Sequence, residues 1–224
     1  MADGKQRPGH PRSLAGDDGP LSKDALNTLV VGAMRPVLRV AFHLKVSSPG
    51  NVPAAGPLVV VANHESLLDG FLVALVFPRR RLTFLSSSYL FEQPVVGPFL
   101  RFAGALPVQR HGGNLGSFRE AIRILQRSGT VAIFPQGGVT SDEILGGAVY
   151  LALKAQAPLL PLHITGSRAA LPPGRAWPSS AAIAVDVGRP LTFSDLTVEG
   201  ASTKQAVAHG RQILEHLLAG SDSA

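Results

Sequence analysis

The chain has 224 residues, 45% of them hydrophobic and 16% charged, which suits a folded globular protein of one sizeable domain or at most two small ones. It contains no cysteine, so a disulfide framework and a thiolate zinc site are both excluded. The formal net charge of +6 favours an anionic partner, while aromatics at 6%, not interleaved with Lys and Arg, argue against nucleic acid.

The first 20 residues, "MADGKQRPGHPRSLAGDDGP", are rich in Gly, Pro and mixed charge and read as a disordered tail. They lack the apolar centre of a signal peptide, and nothing in the chain approaches the roughly 18 apolar residues of a membrane span. The expected location is therefore cytoplasmic. Residues 21–46, "LSKDALNTLVVGAMRPVLRVAFHLKV", show helical periodicity, with Leu26, Val30, Met34, Val37 and Ala41 on an apolar line. Arg35, Arg39 and His43 fall at i, i+4 and i+8 on another face, and Pro36 is placed to kink or divide the helix. One reading is a first helix packed on the core. The other is an interfacial helix, residues 24–45, whose basic stripe meets the cytoplasmic face of a membrane.

From residue 57 onward, short β-rich runs alternate with helical ones. "PLVVVAN", "RLTFLSS", "ALPVQR", "GTVAIFP", "APLLPLHIT" and "AAIAVDVG" read as strands; 67–77, 115–128, 142–156 and 203–219 read as helices. Residues 167–180, "SRAALPPGRAWPSS", read as a loop inside the domain. This order predicts a single α/β domain over 21–220, a mixed, mostly parallel sheet flanked by helices.

Ligands of such sheets bind beyond the carboxyl ends of strands, which is where "VANHESLLDG" puts Asn63 and His64. Five residues do not align two side chains on one helix face. His64 and Asp69 can still meet if the first lies in the strand-to-helix turn and the second in the helix. A carboxylate so placed holds one imidazole nitrogen and leaves the other as a general base. The spacing alone is weak evidence, since His-x4-Asp recurs by chance in sequences of this composition.

Three further segments follow in order: "FAGALPVQR", "IFPQGGVT" and "APLLPLHI". Together with "ANHESLLDG", and with the connecting "FLSSSYLFEQPVVGPFLRFAG", they resemble the four blocks of the glycerolipid acyltransferase family, the lysophosphatidic-acid acyltransferase type, over roughly residues 55 to 166. The resemblance implies a glycerol-3-phosphate acyltransferase-like fold and no metal or cofactor. It implies an acyl donor, acyl-CoA or acyl carrier protein, and a hydroxyl or amine acceptor. His64 would be the base, Asp69 its orienting partner, and Arg110 the holder of an anionic part of a substrate. Asn63, Phe134, Pro135, Gln136, Gly137 and Gly138 would line the substrate site, and Pro158 and Pro161 would shape the last block.

The sequence departs from the family at several positions, three of which (Val139, Ser87 and Gly146) are usually cationic. Gln136, Gly138 and Val139 stand for the family's Glu, Thr and Arg, Ser87 for a Lys, and Gly146–Gly147 for Lys-Gly. A phosphate dianion in a partly dry site needs cations or several backbone donors. With only Arg110 retained, the expected acceptor is a non-phosphate one: a sugar, an amino-acid-derived metabolite or a neutral lyso-lipid. An ordinary lysophosphatidic acid acyltransferase is the alternative, with Arg79–Arg81 or Lys154 compensating. The alternative of another class is a non-catalytic acyl- or lipid-binding protein, against which the intact Asn63-His64-Asp69 set argues.

Other chemistry finds less support. "ALPVQRHGGNLGSFREAI" carries neither dinucleotide nor P-loop glycine spacing, and there is no Gly-x-Ser-x-Gly elbow. Ser66 reads as a helix cap, His163 as a core histidine, His111 as a loop histidine and "RRR" at 79–81 as a solvated face. No ligand cluster has the spacing of a metal site.

Overall fold

The apolar runs of the chain are too short to pack alone and become covered on both faces by assembling into one sheet. The structure, a computed structural model, describes residues 32–34, 36–94, 96–109, 115–139, 141, 143–175 and 177–220. The expected tail at 1–20, most of the helical segment's first half, Arg35 and Arg110 lie outside the described residues. Seven strands form the sheet: β1 (Lys45–Ser47), β2 (Leu58–Ala62), β3 (Leu82–Ser87), β4 (Leu106–Val108), β5 (Thr130–Ile133), β6 (Leu159–Thr165) and β7 (Ala184–Val187). Their order is β1-β7-β6-β2-β5-β3-β4, and every neighbouring pair is parallel except β6 with β7.

β2 lies near the middle of the sheet, between β5 and β6, and all five of its residues are buried. Leu58, Val60 and Ala62 face one core, shared with α1 (residues 36–41) and α2 (Asp69–Val76). Val59 and Val61 face a second core, built with α4 (Leu115–Gln126), α5 (Gly147–Ala155) and α8 (Thr203–Leu218). Each fully buried Val or Leu contributes about 1.5–3 kcal/mol, which explains why this strand is apolar without alternation. Among the described residues the remaining α-helices are α3 (Val96–Phe102), α6 (Ser167–Ala170) and α7 (Phe193–Leu196).

The N-terminal segment differs from the sequence expectation. Among its described residues Leu38, Phe42 and Leu44 are buried, the first two at i and i+4, whereas Met34 and Val37 of the expected apolar line are 38% and 56% exposed. The helix does not run to 46: His43 takes a left-handed conformation (φ 45), and Lys45–Ser47 pair with β7. Edge pairing with a distant strand overrides the local helical period here. Similarly, α5 begins at Gly147 rather than 142, after a segment held by the Leu145 N–H on the Pro135 carbonyl (2.8 Å).

Two polar side chains tie the strands together. Asn63, 5% exposed, donates from Nδ2 to the Ile164 carbonyl (2.8 Å) and accepts the Ile164 N–H on Oδ1 (2.7 Å), joining the end of β2 to β6. Arg80 is no solvated charge. Its Nε donates to Thr130 Oγ1 (3.0 Å), Nη1 to the Pro53 carbonyl (2.7 Å) and Nη2 to the Gly56 carbonyl. Burial lowers its pKa from the ordinary arginine value, because the charged form is desolvated.

Two stability outcomes follow from these contacts. Arg80→Leu strands two backbone carbonyls and is expected to lose about 2–3 kcal/mol, read as a fall in urea midpoint at constant slope. Arg80→Lys restores only part, since an ammonium cannot span three fixed acceptors. Asn63→Leu leaves both Ile164 backbone groups buried and unpaired, with an expected loss of about 2–4 kcal/mol in the same measurement.

Candidate active site

The chain leaves β2 through Asn63 and turns at residues 64–68 before α2 opens at Asp69. This turn is closed by a carboxylate. Asp69 Oδ2 accepts the Glu65 N–H (2.7 Å), the Ser66 N–H (2.8 Å) and lies 2.9 Å from His64 Nδ1. The Asp69 side chain is 1% exposed and that of His64 15%. Asp69 also sits in the first turn of α2, where unpaired backbone N–H groups favour negative charge. Its other oxygen, Oδ1, is buried and has no hydrogen-bond partner among the described residues, a cost that native folds concentrate at functional sites.

The segment after β5 meets His64, backed by a residue of β3. From the end of β5, Gln136 Oε1 accepts the His64 backbone N–H at 2.5 Å. From the same segment, the Phe134 ring stacks on the imidazole with centroids 4.1 Å apart and planes 16° from parallel, and Phe84 of β3 lies behind it at 6.3 Å. Flanked by Phe134 and held at Nδ1, the imidazole has little freedom to rotate. Among the described residues none bonds Nε2, so that nitrogen is available to a ligand.

Ser66 is fully buried, donating from Oγ to the Leu171 carbonyl (2.8 Å) and accepting the Leu68 N–H (3.2 Å). It braces the turn against the loop after α6. It does not cap α2, whose N-cap is Leu68. His163 lies in β6, half-buried against Gly220, rather than inside the core.

The third sequence block forms a tight turn. The Gly137 N–H bonds the Phe134 carbonyl (3.1 Å), and Gly137 has φ 67, a conformation that a Cβ would strain. The Gly137 carbonyl accepts from Ser87 Oγ at 3.3 Å, and a Cβ on Gly138 would meet open space. Pro135 is buried beneath the turn.

Of the residues expected at the site, the structure brings His64, Asp69, Phe134 and Gln136 into direct contact, with Gly137 and Gly138 in the adjoining turn. Asn63 differs: both ends of its amide are engaged with Ile164, so it holds strands together behind the site. Arg110 and His111 are outside the described residues. The supports supplied by Phe84, Ser66 and Leu171 carry no sequence signal, because each acts across a gap in the chain that only the fold closes.

The neutral departures also take on a physical meaning. Ser87 and Gln136 are both occupied in holding the third block to its neighbours. A Cβ at Gly146 would lie 2.5 Å from Val207 of α8, and one at Gly147 3.0 Å from Phe118 of α4. Side chains at 146 and 147 would therefore start into the helix layer of the second core, while His64 stacks on Phe134, which with Phe84 borders the first. Among the described residues no cluster of His, Cys, Asp or Glu could hold a metal ion, and no helix is long and apolar enough to cross a membrane.

A family model described as Acyltransferase matches residues 43–165. Over 136 residues the chain is 28% identical to a 1-acyl-sn-glycerol-3-phosphate acyltransferase of Bacillus subtilis (strain 168), a match covering 60% of this chain and 68% of that protein. A Streptococcus pneumoniae protein of the same name is 24% identical over 139 residues, 62% of this chain and 51% of its own length, so the chain spans only about half of that relative. The crystal structure of the 1-acyl-sn-glycerophosphate (LPA) acyltransferase PlsC from Thermotoga maritima has the same fold, with a TM-score of 0.66 over 91% of this chain and 84% of that one at 20% identity. Because the family's pattern takes in more than half of the chain, from the edge of β1 to the end of β6 with the His64–Asp69 turn inside it, the chain belongs to the acyltransferase family.

Proposed function

We propose that the protein transfers an acyl group from an acyl thioester, acyl-CoA or acyl carrier protein, to the free hydroxyl of 1-acylglycerol-3-phosphate, with His64 as general base. The observation that carries this reading is the 2.9 Å contact of His64 Nδ1 with a buried carboxylate at the carboxyl end of a central parallel strand. Asp69 holds the proton on Nδ1 and leaves the Nε2 lone pair for the acceptor hydroxyl. As that oxygen attacks the thioester carbon, Nε2 takes its proton and the imidazolium is stabilised by Asp69. Collapse of the tetrahedral species breaks the C–S bond, and the imidazolium returns the proton to the leaving thiolate. The stacked Phe134 and the Gln136 bond restrict imidazole and backbone, so little reorganisation remains for the reacting state.

A phosphate-bearing acceptor is supported by the names of the relatives and by the structural use of the neutral residues. Ser87, Gln136 and Gly146 each have a packing or hydrogen-bonding reason that does not involve an acceptor. In this reading Arg110 and backbone N–H groups supply the phosphate's partners. A second reading, a neutral hydroxyl or amine acceptor, is favoured by Gly138 and Val139, which put no cation on the turn beside His64.

The test is thiol release by purified protein given long-chain acyl-CoA or acyl carrier protein, with lysophosphatidic acid or neutral acceptors. His64→Ala is expected to lower turnover about 10³-fold with little change in donor binding. Asp69→Asn, which can still accept the backbone N–H groups, is expected to lose about 10²-fold or more because an amide does not stabilise the imidazolium. Turnover with lysophosphatidic acid that survives His64→Ala would overturn the mechanism, and turnover confined to neutral acceptors would select the second reading. Gln136→Glu keeps an oxygen for the His64 N–H and should stay within about threefold of wild type, whereas Gln136→Leu should not.

A further inference from the structure

On the face of the sheet away from α2, α4 turns its apolar side inward. Ala121 and Leu125 are buried in the second core, with Phe118 and Ile122 packed against it. Its outward side is cationic. Arg119 and Arg123 are exposed one turn apart, and exposed Arg127 continues the row, its N–H still bonded to the Arg123 carbonyl (3.2 Å). The adjoining α5 adds exposed Lys154, whose Nζ lies 6.0 Å from the Tyr150 ring. That ring is 6.1 Å from Phe118 of α4, so the two helices share one surface. They carry a single acidic residue, Glu120, which Arg123 Nη1 already engages at 2.9 Å. Arg119, Arg127 and Lys154 have no carboxylate partner among the described residues.

This surface begins beside the site. α4 leads from the carboxyl end of β4 to the start of β5, and α5 opens after the third block, so both helices start at the His64 end of the sheet. A Cβ on Gly147 would lie 3.0 Å from the Phe118 ring and 3.8 Å from Ile133, the residue before Phe134. From Arg119 to Arg127 the row runs about 12 Å, with one cation per helical turn. Such spacing matches carboxylates on successive turns of a partner helix better than a single phosphate group. A helix that lies on a bilayer turns an apolar face outward. Here only Leu115 and Tyr150 are exposed among the large apolar side chains of the two helices.

We propose that the Arg119–Arg123–Arg127 row, with Lys154, is the docking surface for an acidic, helical acyl carrier protein whose thioester-bearing arm is directed to the His64 end of the sheet. The partner's identity rests on the acyl-transfer reading, and it selects carrier protein over acyl-CoA as donor. Guanidinium groups pair with carboxylates through two parallel hydrogen bonds, which fixes the orientation of the partner as well as holding it. Leu115 and Tyr150 supply the apolar contacts between the charges.

Binding and turnover are measured separately. Fluorescently labelled apo carrier protein, which lacks the arm, is titrated with the full chain and followed by anisotropy. Binding is expected to weaken steeply with salt. Arg119→Glu/Arg123→Glu is expected to bind about tenfold more weakly or worse, whereas Glu120→Gln should bind at least as well as wild type. In turnover, the double variant should raise KM for the acyl carrier protein about tenfold and leave KM and kcat for acyl-CoA within about twofold, which also shows that it is folded. Arg119→Gln/Arg123→Gln should give an intermediate loss. Carrier binding that is absent in the wild type, or unchanged in the double Glu variant, overturns the proposal, as does an equal loss with both donors. Co-sedimentation with phosphatidylglycerol vesicles that the double variant abolishes, without carrier binding, also overturns it and makes the surface a lipid contact. Carrier binding that the variant abolishes, in a protein that transfers no acyl group from either donor, upholds the docking surface and rejects the acyl-transfer reading.

Discussion

One oxygen atom organises this site. Asp69 Oδ2 collects two backbone N–H groups and the His64 ring nitrogen within 2.9 Å, and the turn between β2 and α2 folds around it. The donors come from positions three, four and five residues before the acceptor, so the five-residue spacing of His and Asp is the geometry of a turn, not of a helix face. Removal of that carboxylate would release the imidazole and free two backbone donors at once, in a place where water has little access. The start of α2 and the direction of its exposed face inherit their position from the same turn.

Around this centre the fold supplies rigidity from other strands. Asn63 locks the end of β2 to β6, Gln136 reaches over from the end of β5 to the His64 N–H, and Phe134 lies flat on the imidazole. Ser66 anchors the far side of the turn to the Leu171 carbonyl. An imidazole held on several sides by separate elements of one sheet keeps its orientation better than one on a free loop. Such preorganisation limits the reorganisation that a reaction must otherwise supply.

The neutral replacements in the third block show how framework and chemistry compete in a sequence. Gln136 stands where the family has Glu, which from sequence alone reads as a changed acceptor pocket. Its oxygen in fact accepts a backbone N–H of the first block, a task a carboxylate and an amide perform alike. Ser87 and Gly146 similarly answer to local contacts, with the Gly137 carbonyl and with Val207. Charge counting by alignment is thus a poor guide to a pocket until the direction of each side chain is known.

The elements that sequence periodicity identified well are the buried ones: β2, whose apolar run lacks alternation, and α4 and α8, whose repeats match one-sided burial. It failed where a partner far along the chain decided the outcome. β1 lies inside a helical pattern and exists because β7 pairs with it, and α3 hides in a segment that reads as connecting text. Arg80 reads as one of three like charges, yet its guanidinium bonds three separate acceptors. By itself the sequence determined the α/β alternation, the family blocks and the turn that brings His64 to Asp69, because all of these arise from residues close together in the chain. Only the tertiary structure decided that Gln136 and Ile164 would meet His64 and Asn63 across 72 and 101 positions, since strand order, not local pattern, sets which chain segments become neighbours.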